Sequence, residues 1–553
     1  MRQTLRGIVI VVLVALFAAV GVGIGSNLTE HFRNLFLYNE VLTIIQHRYV
    51  EKEEPSKLIM SSIQGMLRTL DPHSHLLDEL MSKQMREDQQ GSFYGIGIQF
   101  DVINGMLTVI SPIEGSPAYK VGLLAGDRIV GIEGEDARGI STIDVIKKLK
   151  GPKGTTVTVT VQREGVAELL TFTIKRDTIP TASVPYYFML NDTVGYVRLT
   201  RFSETTASEM NEAIHELKKD GMQEVILDLR LNGGGLLTQA IAVSDMFLSA
   251  GLPIVSTKGR TSESNQSVFA TKRTKLPTVP LVILIDEGTA SGSEIVAGAV
   301  QDSDRGLIVG SRSFGKGLVQ SVIQLPENWT LVLTTARYYT PSGRCIQKPY
   351  SQYDNGEYIK SYSESDNGEN AGGEKKEAPE DQVIYRSRAG RELTGGGGIH
   401  PDVVVAYTEL DKGYEELYRK NIFTLFGLHY ASRHRDLKKD FEIDDAVVAE
   451  FVKFAADNGV EITSEKLLGD KGPYVKTYIK WRIVQSLWGN KEAAITFSSV
   501  DDQVQKAIEV MPQARKMLED VYLPLLKEQP EPSSEPEPKS GAASTQDSFD
   551  MAA

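Results

Sequence analysis

The hydrophobic and polar positions change period three times along the chain, and each change marks a different kind of structure. From residue 28 to about 85, apolar residues recur at helical spacing, as at Leu37, Val41, Ile44 and Ile45, and a second helix is predicted over 55–70. Asp71-Pro72-His73-Ser74-His75 interrupts that pattern. From 91 to 176 short alternating runs are separated by glycine turns, the strongest being Thr156-Val157-Thr158-Val159-Thr160-Val161. From 180 to 350 strands and helices alternate: strand 194–199, helix 206–219, strand 224–229, helix 236–249, strand 279–286, helix 293–302, and strands 306–310 and 318–325. Residues 410–525 read as helical again.

Two further segments have no packing pattern. Residues 351–380 are acidic and rich in Gly and Ser, which reads as a flexible insertion, and the Pro/Glu/Ser-rich stretch from Glu528 reads as a disordered tail. The predicted organisation is an N-terminal membrane anchor or signal segment (1–27), a helical region (28–90), a β-rich module (91–176), an α/β core (177–409), a C-terminal helical extension (410–527) and the tail (528–553).

Arg2 and Arg6 precede an apolar stretch from Ile8 to about Ile24, close to the roughly 17–25 residues that span a bilayer. With the basic residues held in the cytoplasm, the rest of the chain is expected on the extracytoplasmic side. An uncleaved anchor is the favoured reading; Gly23-Ile24-Gly25-Ser26 keeps signal cleavage open. A net charge of -13 argues against nucleic acid as a partner. The single cysteine, Cys345, excludes an intrachain disulfide framework, and no histidine spacing suggests a metal site, so neither cofactor nor metal is expected.

The candidate chemistry lies at two turns beside strands. Ser291 falls in Asp286-Glu287-Gly288-Thr289-Ala290-Ser291-Gly292-Ser293-Glu294, after the apolar strand Leu281–Ile285 and at a helix N-terminus that favours developing negative charge. Lys316 falls in Ser313-Phe314-Gly315-Lys316-Gly317. A desolvated lysine can take the proton of a serine hydroxyl, because burial lowers its pKa toward neutrality. Gln320, four residues on, shares a face with Lys316 in an extended chain and can orient its amine. The Gly292 N–H is a natural oxyanion donor, and the turn Asn232-Gly233-Gly234-Gly235 offers a second from Gly233 or Gly234. Taken singly, a serine at a helix start is usually a cap and a lysine in a glycine turn is usually solvated.

Together with Leu70-Asp71-Pro72-His73-Ser74, Asp228-Leu229-Arg230-Leu231-Asn232-Gly233-Gly234-Gly235, Tyr338-Tyr339-Thr340-Pro341-Ser342-Gly343-Arg344 and Gly395-Gly396-Gly397-Gly398-Ile399-His400-Pro401-Asp402, these residues resemble the C-terminal processing peptidases, or tail-specific proteases, over about 30–405. The resemblance implies a multidomain α/β chain: a crotonase-like α/β serine protease core, an inserted PDZ domain, N-terminal helices and a C-terminal helical extension. It places the nucleophile on Ser291 rather than Ser293, the base on Lys316 and its orienting partner on Gln320. Asp286 and Gly292 depart from the usual Asn and Ala of the family run.

Residues 91–176 resemble a PDZ domain, with Tyr94-Gly95-Ile96-Gly97-Ile98 at the carboxylate-binding loop. In relatives an arginine before the Gly-x-x-Gly-Thr turn is linked to substrate-induced activation; here that position is Lys150, a candidate regulatory residue. The expectation is a serine endopeptidase of the bacterial cell envelope, anchored in the membrane with its catalytic domain in the periplasm or extracytoplasmic space. Its partners would be protein or peptide substrates with exposed apolar C-termini. The helical regions are candidate surfaces for a homo-oligomer or an adaptor protein, and the helices at 410–525 could instead cap the core. The alternatives are a catalytically silent PDZ scaffold or chaperone, and an acyl-CoA enzyme on a crotonase fold, which would have neither the PDZ insertion nor the paired Ser and Lys.

Overall fold

A computed structural model describes residues 25–103, 105–271, 276, 278–349, 383–406, 414–527 and 551–552. The apolar N-terminal stretch expected as an anchor, the expected insertion at 351–380 and most of the expected tail lie outside the described residues. Among the described residues no helix is long and apolar enough to cross a membrane.

The chain divides into two units, 1–76 and 77–553. In the first, helices α1 (Gly25–Arg48) and α2 (Pro55–Arg68) are joined by a Tyr38–Ser62 hydroxyl hydrogen bond of 2.7 Å. Asp71 ends the unit's helical run by accepting the backbone N–H groups of His73 and Ser74, both at 2.7 Å. Its carboxylate thereby replaces the helical partners those amides would otherwise need.

The second unit opens with α3 (Glu79–Gln90), which ends at Gly91 in the left-handed conformation, φ 68°. The β-rich module follows. Strands β1 (Ser92–Gly95), β2 (Ile98–Ile103), β3 (Met106–Pro112) and β4 (Arg128–Ile132) precede helix α4 (Thr142–Leu149), and β5 (Thr156–Gln162), β6 (Leu170–Lys175) and β7 (Asp177–Pro180) follow it. The antiparallel order is β2-β3-β4-β5-β6, with β1 paired to β7 at the module's exit. The period-two pattern of 156–161 is explained by Val157, Val159 and Val161, all fully buried with Leu107, Ile129 and Val145 in the module's own core.

The core is built from two sheets with helices between them. The first contains β8 (Tyr186–Met189), β9 (Val194–Arg198), β10 (Glu224–Asp228), β13 (Leu281–Ile285), β14 (Leu307–Gly310) and β17 (Val403–Val404), in that order. It is parallel except for β8. Alternate side chains of β10 and β13 serve opposite faces. Val225, Leu227, Ile283 and Ile285 face helices α5 (Thr206–Lys219), α6 (Leu237–Asp245) and α7 (Gly292–Asp302), while Ile226, Val282 and Leu284 face α11 (Asp502–Met517). Burial on both faces is why these strands are unbroken apolar runs.

The second sheet is β12 (Gln266–Phe269), β11 (Pro253–Gly259), β16 (Thr330–Tyr339), β15 (Leu318–Gln324) and the two-residue β18 (Met551–Ala552), all antiparallel. It supplies Val255, Val319, Ala336 and Tyr338 to the same interior as α7. Helix α7, buried at every residue, is therefore held in the middle of the core. The remaining C-terminal helices, α8 (Ile422–Arg433), α9 (Asp445–Asp457) and α10 (Gly472–Ser498), share a separate aromatic-rich core around Phe423, Phe426 and Phe451. The region expected as one appended extension is thus two things: a small helical core, and α11, which forms part of the two-sheet core.

Candidate active site

The nucleophile turn and the lysine turn come from different sheets. Ser291 follows β13 of the first sheet and Lys316 precedes β15 of the second. A single carboxylate joins them. Glu294, on the first turn of α7, is fully buried, and its Oε2 accepts the backbone N–H of Ser291 at 2.8 Å and of Lys316 at 2.9 Å. Its Oε1 accepts the Ser313 hydroxyl at 2.5 Å and the Gly315 N–H at 2.7 Å. The Ser291 and Lys316 amides are therefore within two hydrogen-bond lengths of each other. Burial raises the Glu294 pKa to about 7, opposed by these same hydrogen bonds.

Ser291 stands at φ 54°, ψ -113°, a region that residues with a Cβ seldom adopt. Several groups hold it there. Its N–H goes to Glu294, its carbonyl accepts the Tyr338 hydroxyl at 3.0 Å, and the preceding Ala290 N–H donates to the Asn232 carbonyl at 2.9 Å. Its Oγ is buried and makes no hydrogen bond among the described residues. Ser293, the other serine of the run, donates its hydroxyl to the Asn232 carbonyl at 2.9 Å and so braces the two turns against each other.

Lys316 is 7% exposed and its Nζ donates to Gln320 Oε1 at 2.8 Å. The register of β15 against β16 shifts between Val319 and Gln320, so an irregularity sits at the residue that receives the amine. The lysine turn is fixed from behind by the second glycine motif. Ser313 Oγ accepts the Ile399 N–H at 2.6 Å, and a Cβ on Gly315 would meet the Gly398 nitrogen at 2.8 Å.

The glycine turn after β10 approaches the nucleophile closely. Gly234 has φ 100°, and a Cβ there would lie 2.7 Å from Ser291 Cβ and 2.8 Å from the Gly292 nitrogen. The Gly234 N–H, one of two donors considered from the sequence, is bonded to Asn232 Oδ1 at 2.9 Å. Gly233 faces open space, and Gly292 packs against Ala240 and Phe202. The other recurring motifs are braces: Arg344 forms a fully buried ion pair with Asp302 at 2.6 Å, and Arg391 bridges Asp304 and Asp402, each at 2.6 Å.

In the β-rich module the loop 94–98 runs from β1 into β2. Its carbonyls at Ile96 and Gly97 accept the N–H groups of Ala118 (2.9 Å) and Ile113 (3.0 Å). Gly97, φ 79°, has no room for a Cβ beside Ser116. Strand β2 pairs only with β3 among the described residues and so presents an edge. Lys150, at the end of α4, pairs with Glu87 of α3 at 2.7 Å and sits 4.4 Å from the centre of the Phe93 ring.

Glu294, Ser313, Asn232 and Tyr338 were not singled out from the sequence as individual contributors to the site. The available signal for Glu294 was its position three residues after Ser291 at a helix start, the capping-box spacing. Its second pair of partners, Ser313 and Gly315, is visible only in three dimensions.

The chain matches the model of peptidase family S41 over residues 193–355 and that of the PDZ domain over 108–163. A family of unknown function matches residues 413–489. A carboxy-terminal-processing protease of Bartonella bacilliformis is 42% identical over 326 residues, covering 58% of this chain and 74% of the relative. The carboxy-terminal processing protease CtpA of Bacillus subtilis is 36% identical over 311 residues, covering 56% and 66%. Among solved structures, the photosystem II D1 C-terminal processing protease aligns over 56% of this chain and 90% of its own, at 30% identity and a TM-score of 0.33. A PDZ domain of the carboxy-terminal protease from Vibrio cholerae, solved with a peptide, is 37% identical over 16% of this chain and 97% of its own, with a TM-score of 0.15. With a PDZ match followed by an S41 match, and with most of a 42% identical relative covered, the chain belongs to the carboxy-terminal-processing proteases, a family of serine-type peptidases.

Proposed function

We propose that the chain is an endopeptidase that captures exposed, apolar C-terminal tails of proteins and cuts upstream by a Ser-Lys acyl-enzyme mechanism. The neutral Lys316 amine takes the Ser291 hydroxyl proton as Oγ attacks the scissile carbonyl. The tetrahedral oxyanion is received by the N–H of Gly292 and that of Gly233. Gly234 is set aside as a donor because its N–H serves Asn232. The resulting Lys316 ammonium returns the proton to the leaving amine, and an acyl ester remains on Ser291. Water then attacks the ester, giving its proton to Lys316, and Ser291 recovers a proton as the acid product leaves.

For this cycle the Lys316 amine must be able to lose its proton, and burial acts in that direction. Gln320 holds the amine, and the strained Ser291 backbone presents an uncommitted Oγ. The observation that carries the reading is Glu294, whose one carboxylate oxygen binds the amides of both residues and so brings two distant turns together at a single point.

The loop 94–98 and the edge of β2 are the proposed docking place for a substrate carboxylate and its last residues. We extend the proposal to an extracytoplasmic location, with membrane attachment through the segment before residue 25. The test is cleavage of an unstructured protein with an apolar C-terminus. Ser291→Ala and Lys316→Ala should each abolish turnover while leaving the fold intact. Full activity in either variant would refute the assignment.

A further inference from the structure

The peptide bond between Ser291 and Gly292 has two tasks. Its N–H is the first oxyanion donor of the proposed cycle, and its carbonyl is held by both the helix and the second sheet. That carbonyl accepts the Ile295 N–H at 3.0 Å, the ordinary bond of a first helical turn, and also the Tyr338 hydroxyl at 3.0 Å. Both of its lone pairs are therefore used. The Gly292 N–H makes no hydrogen bond among the described residues, as befits a donor in the first turn of α7. The backbone beside it is bare: a Cβ on Gly234 would lie 2.8 Å from the Gly292 nitrogen.

In a trans peptide the N–H and C=O point in opposite directions from one rigid plane, so a group that fixes the carbonyl also fixes the line of the N–H. The orientation of this plane follows from the uncommon state of Ser291, φ 54° and ψ -113°, which persists only where the surroundings over-determine it. Tyr338 is placed to do so. It lies fully buried in β16, opposite Thr257 of β11. Its own N–H donates to the Gly317 carbonyl at 3.0 Å, one residue past Lys316. The backbone of Tyr338 thus grips the lysine turn while its side chain grips the nucleophile turn. Burial, followed by the nearby Glu294 carboxylate, raises the phenol pKa well above its usual value, so the hydroxyl stays protonated and donates. A donor on a peptide oxygen also polarises that peptide, which makes its N–H a stronger donor in turn.

We infer that Tyr338 is a positioning residue for the oxyanion: through the Ser291 carbonyl it aims and polarises the Gly292 N–H without touching the substrate. The inference rests on the reading of Ser291 and Lys316 proposed above. Negative charge on the tetrahedral intermediate draws harder on the Gly292 N–H than the neutral substrate carbonyl does, and the Tyr338 bond to the same peptide strengthens with it. Its effect therefore falls on kcat rather than on KM.

The test compares the full chain with Tyr338→Phe and Ser291→Ala. The Phe ring fills the same space and the Ser291 carbonyl keeps the Ile295 N–H, so Tyr338→Phe is expected to fold, read as an unchanged thermal unfolding midpoint. On an unstructured protein with an apolar C-terminus it should lower kcat about ten- to thirtyfold, less than the roughly 10²–10³-fold cost of deleting an oxyanion donor, with KM changed less than about twofold. Two inhibitors of the same apolar peptide sequence separate positioning from general support of the fold. One is an aldehyde, whose carbon bonds Ser291 Oγ to form a tetrahedral oxyanion; the other is the corresponding alcohol, which forms no adduct. Tyr338→Phe should weaken the aldehyde by the same factor as kcat and leave the alcohol within about twofold. A fluorinated tyrosine in place of Tyr338, a more acidic phenol that keeps the bond, should hold or raise kcat. Unchanged kcat in Tyr338→Phe, equal weakening of both inhibitors, or a loss with the fluorinated residue as large as that with Phe would each overturn the inference and leave Ser291 and Lys316 standing. Turnover surviving in Ser291→Ala would remove that assignment and the inference with it.

Discussion

Glu294 does more at this site than its position in a helix cap requires. Four donors converge on its two oxygens, and all four belong to the two turns that carry the proposed chemistry. Glu294→Gln would keep the shape but turn half of the acceptor into a donor facing N–H or O–H groups. The expected result is a fall in kcat of about a hundredfold, since a displacement of about 1 Å at a reacting group costs that much. The same residue predicts a pH effect. Its pKa of about 7 in the folded protein lies above the value of about 4.3 for an exposed glutamate, so between these values the folded state binds the proton more tightly. Its contribution to stability is therefore greatest below about pH 4.3 and is lost as pH rises through about 7. Denaturant unfolding across this range should show that loss in the wild type relative to Glu294→Gln; parallel pH profiles would contradict it.

The two neighbouring glycines of the proposed oxyanion turn should respond differently to alanine. Gly234→Ala places a Cβ against Ser291 and Gly292 at a positive φ, so destabilisation of about 2 kcal/mol or more and loss of turnover are expected. Gly233→Ala meets nothing within 4 Å and should fold normally. Thermal unfolding of the pair separates the two. At this scale the candidate residues could be picked out from the sequence. Ser291, Lys316, Gln320 and the glycine run stand in short local patterns beside strands, and their neighbours along the chain define their setting. Asn232, Ser313 and Tyr338 were not legible as individual contributors, because each acts on a residue distant in sequence: Tyr338 on the Ser291 carbonyl, and Ser313 on Glu294 and Ile399.

Among the elements, α11 departs most from the sequence-based organisation. Its helical character was expected, while its place was left open between capping the core and serving a partner. Val504, Ala507, Val510, Met511 and Ala514 cover Ile226, Val282, Leu284 and Val309 on the sheet face opposite α7. Its N-terminus is tied in as well: Asp501 pairs with Arg230 at 2.9 Å, and Arg230 in turn pairs with Asp228, whose carboxyl is held well below the usual range by Arg198 and Arg230 against the opposing effect of burial. A helix more than 190 residues after the strands it covers has no local signature of that pairing. Met511→Ala should cost about 2–5 kcal/mol, as for other buried large-to-small changes, read by denaturant unfolding of the whole chain. A cost under about 0.5 kcal/mol would mean that α11 is an appendage after all.

Across the whole molecule, the PDZ module meets the protease core through α3. Lys150 pairs with Glu87; the adjacent Asp88 lies 3.6 Å from Arg201, and the Gln89 carbonyl accepts the Glu204 N–H at 2.8 Å. Between Arg201 and Glu204 lies Phe202, whose carbonyl leaves no space for a Cβ on Gly235 and whose ring abuts Gly292. A contiguous set of contacts thus runs from the end of α4 to the proposed oxyanion turn. If Lys150 takes part in substrate-induced activation, Lys150→Ala should reduce the stimulation of turnover by a C-terminal peptide several-fold while basal turnover changes less. Unchanged stimulation would remove the role.

Taken alone, the sequence determined the order of helical, β-rich and α/β segments, the presence of a PDZ module and the candidate Ser-Lys pair. Each of these is encoded over a few residues by periodicity, turn chemistry or a short motif. Only the tertiary structure decided that Ser291 and Lys316 rise from two different sheets and meet on one buried carboxylate. It also decided that α11 closes the far face of the core, and that the Tyr338 hydroxyl reaches the Ser291 carbonyl. These depend on contacts between residues far apart in the chain, where no local pattern reports which surface will be nearest once the apolar faces are buried.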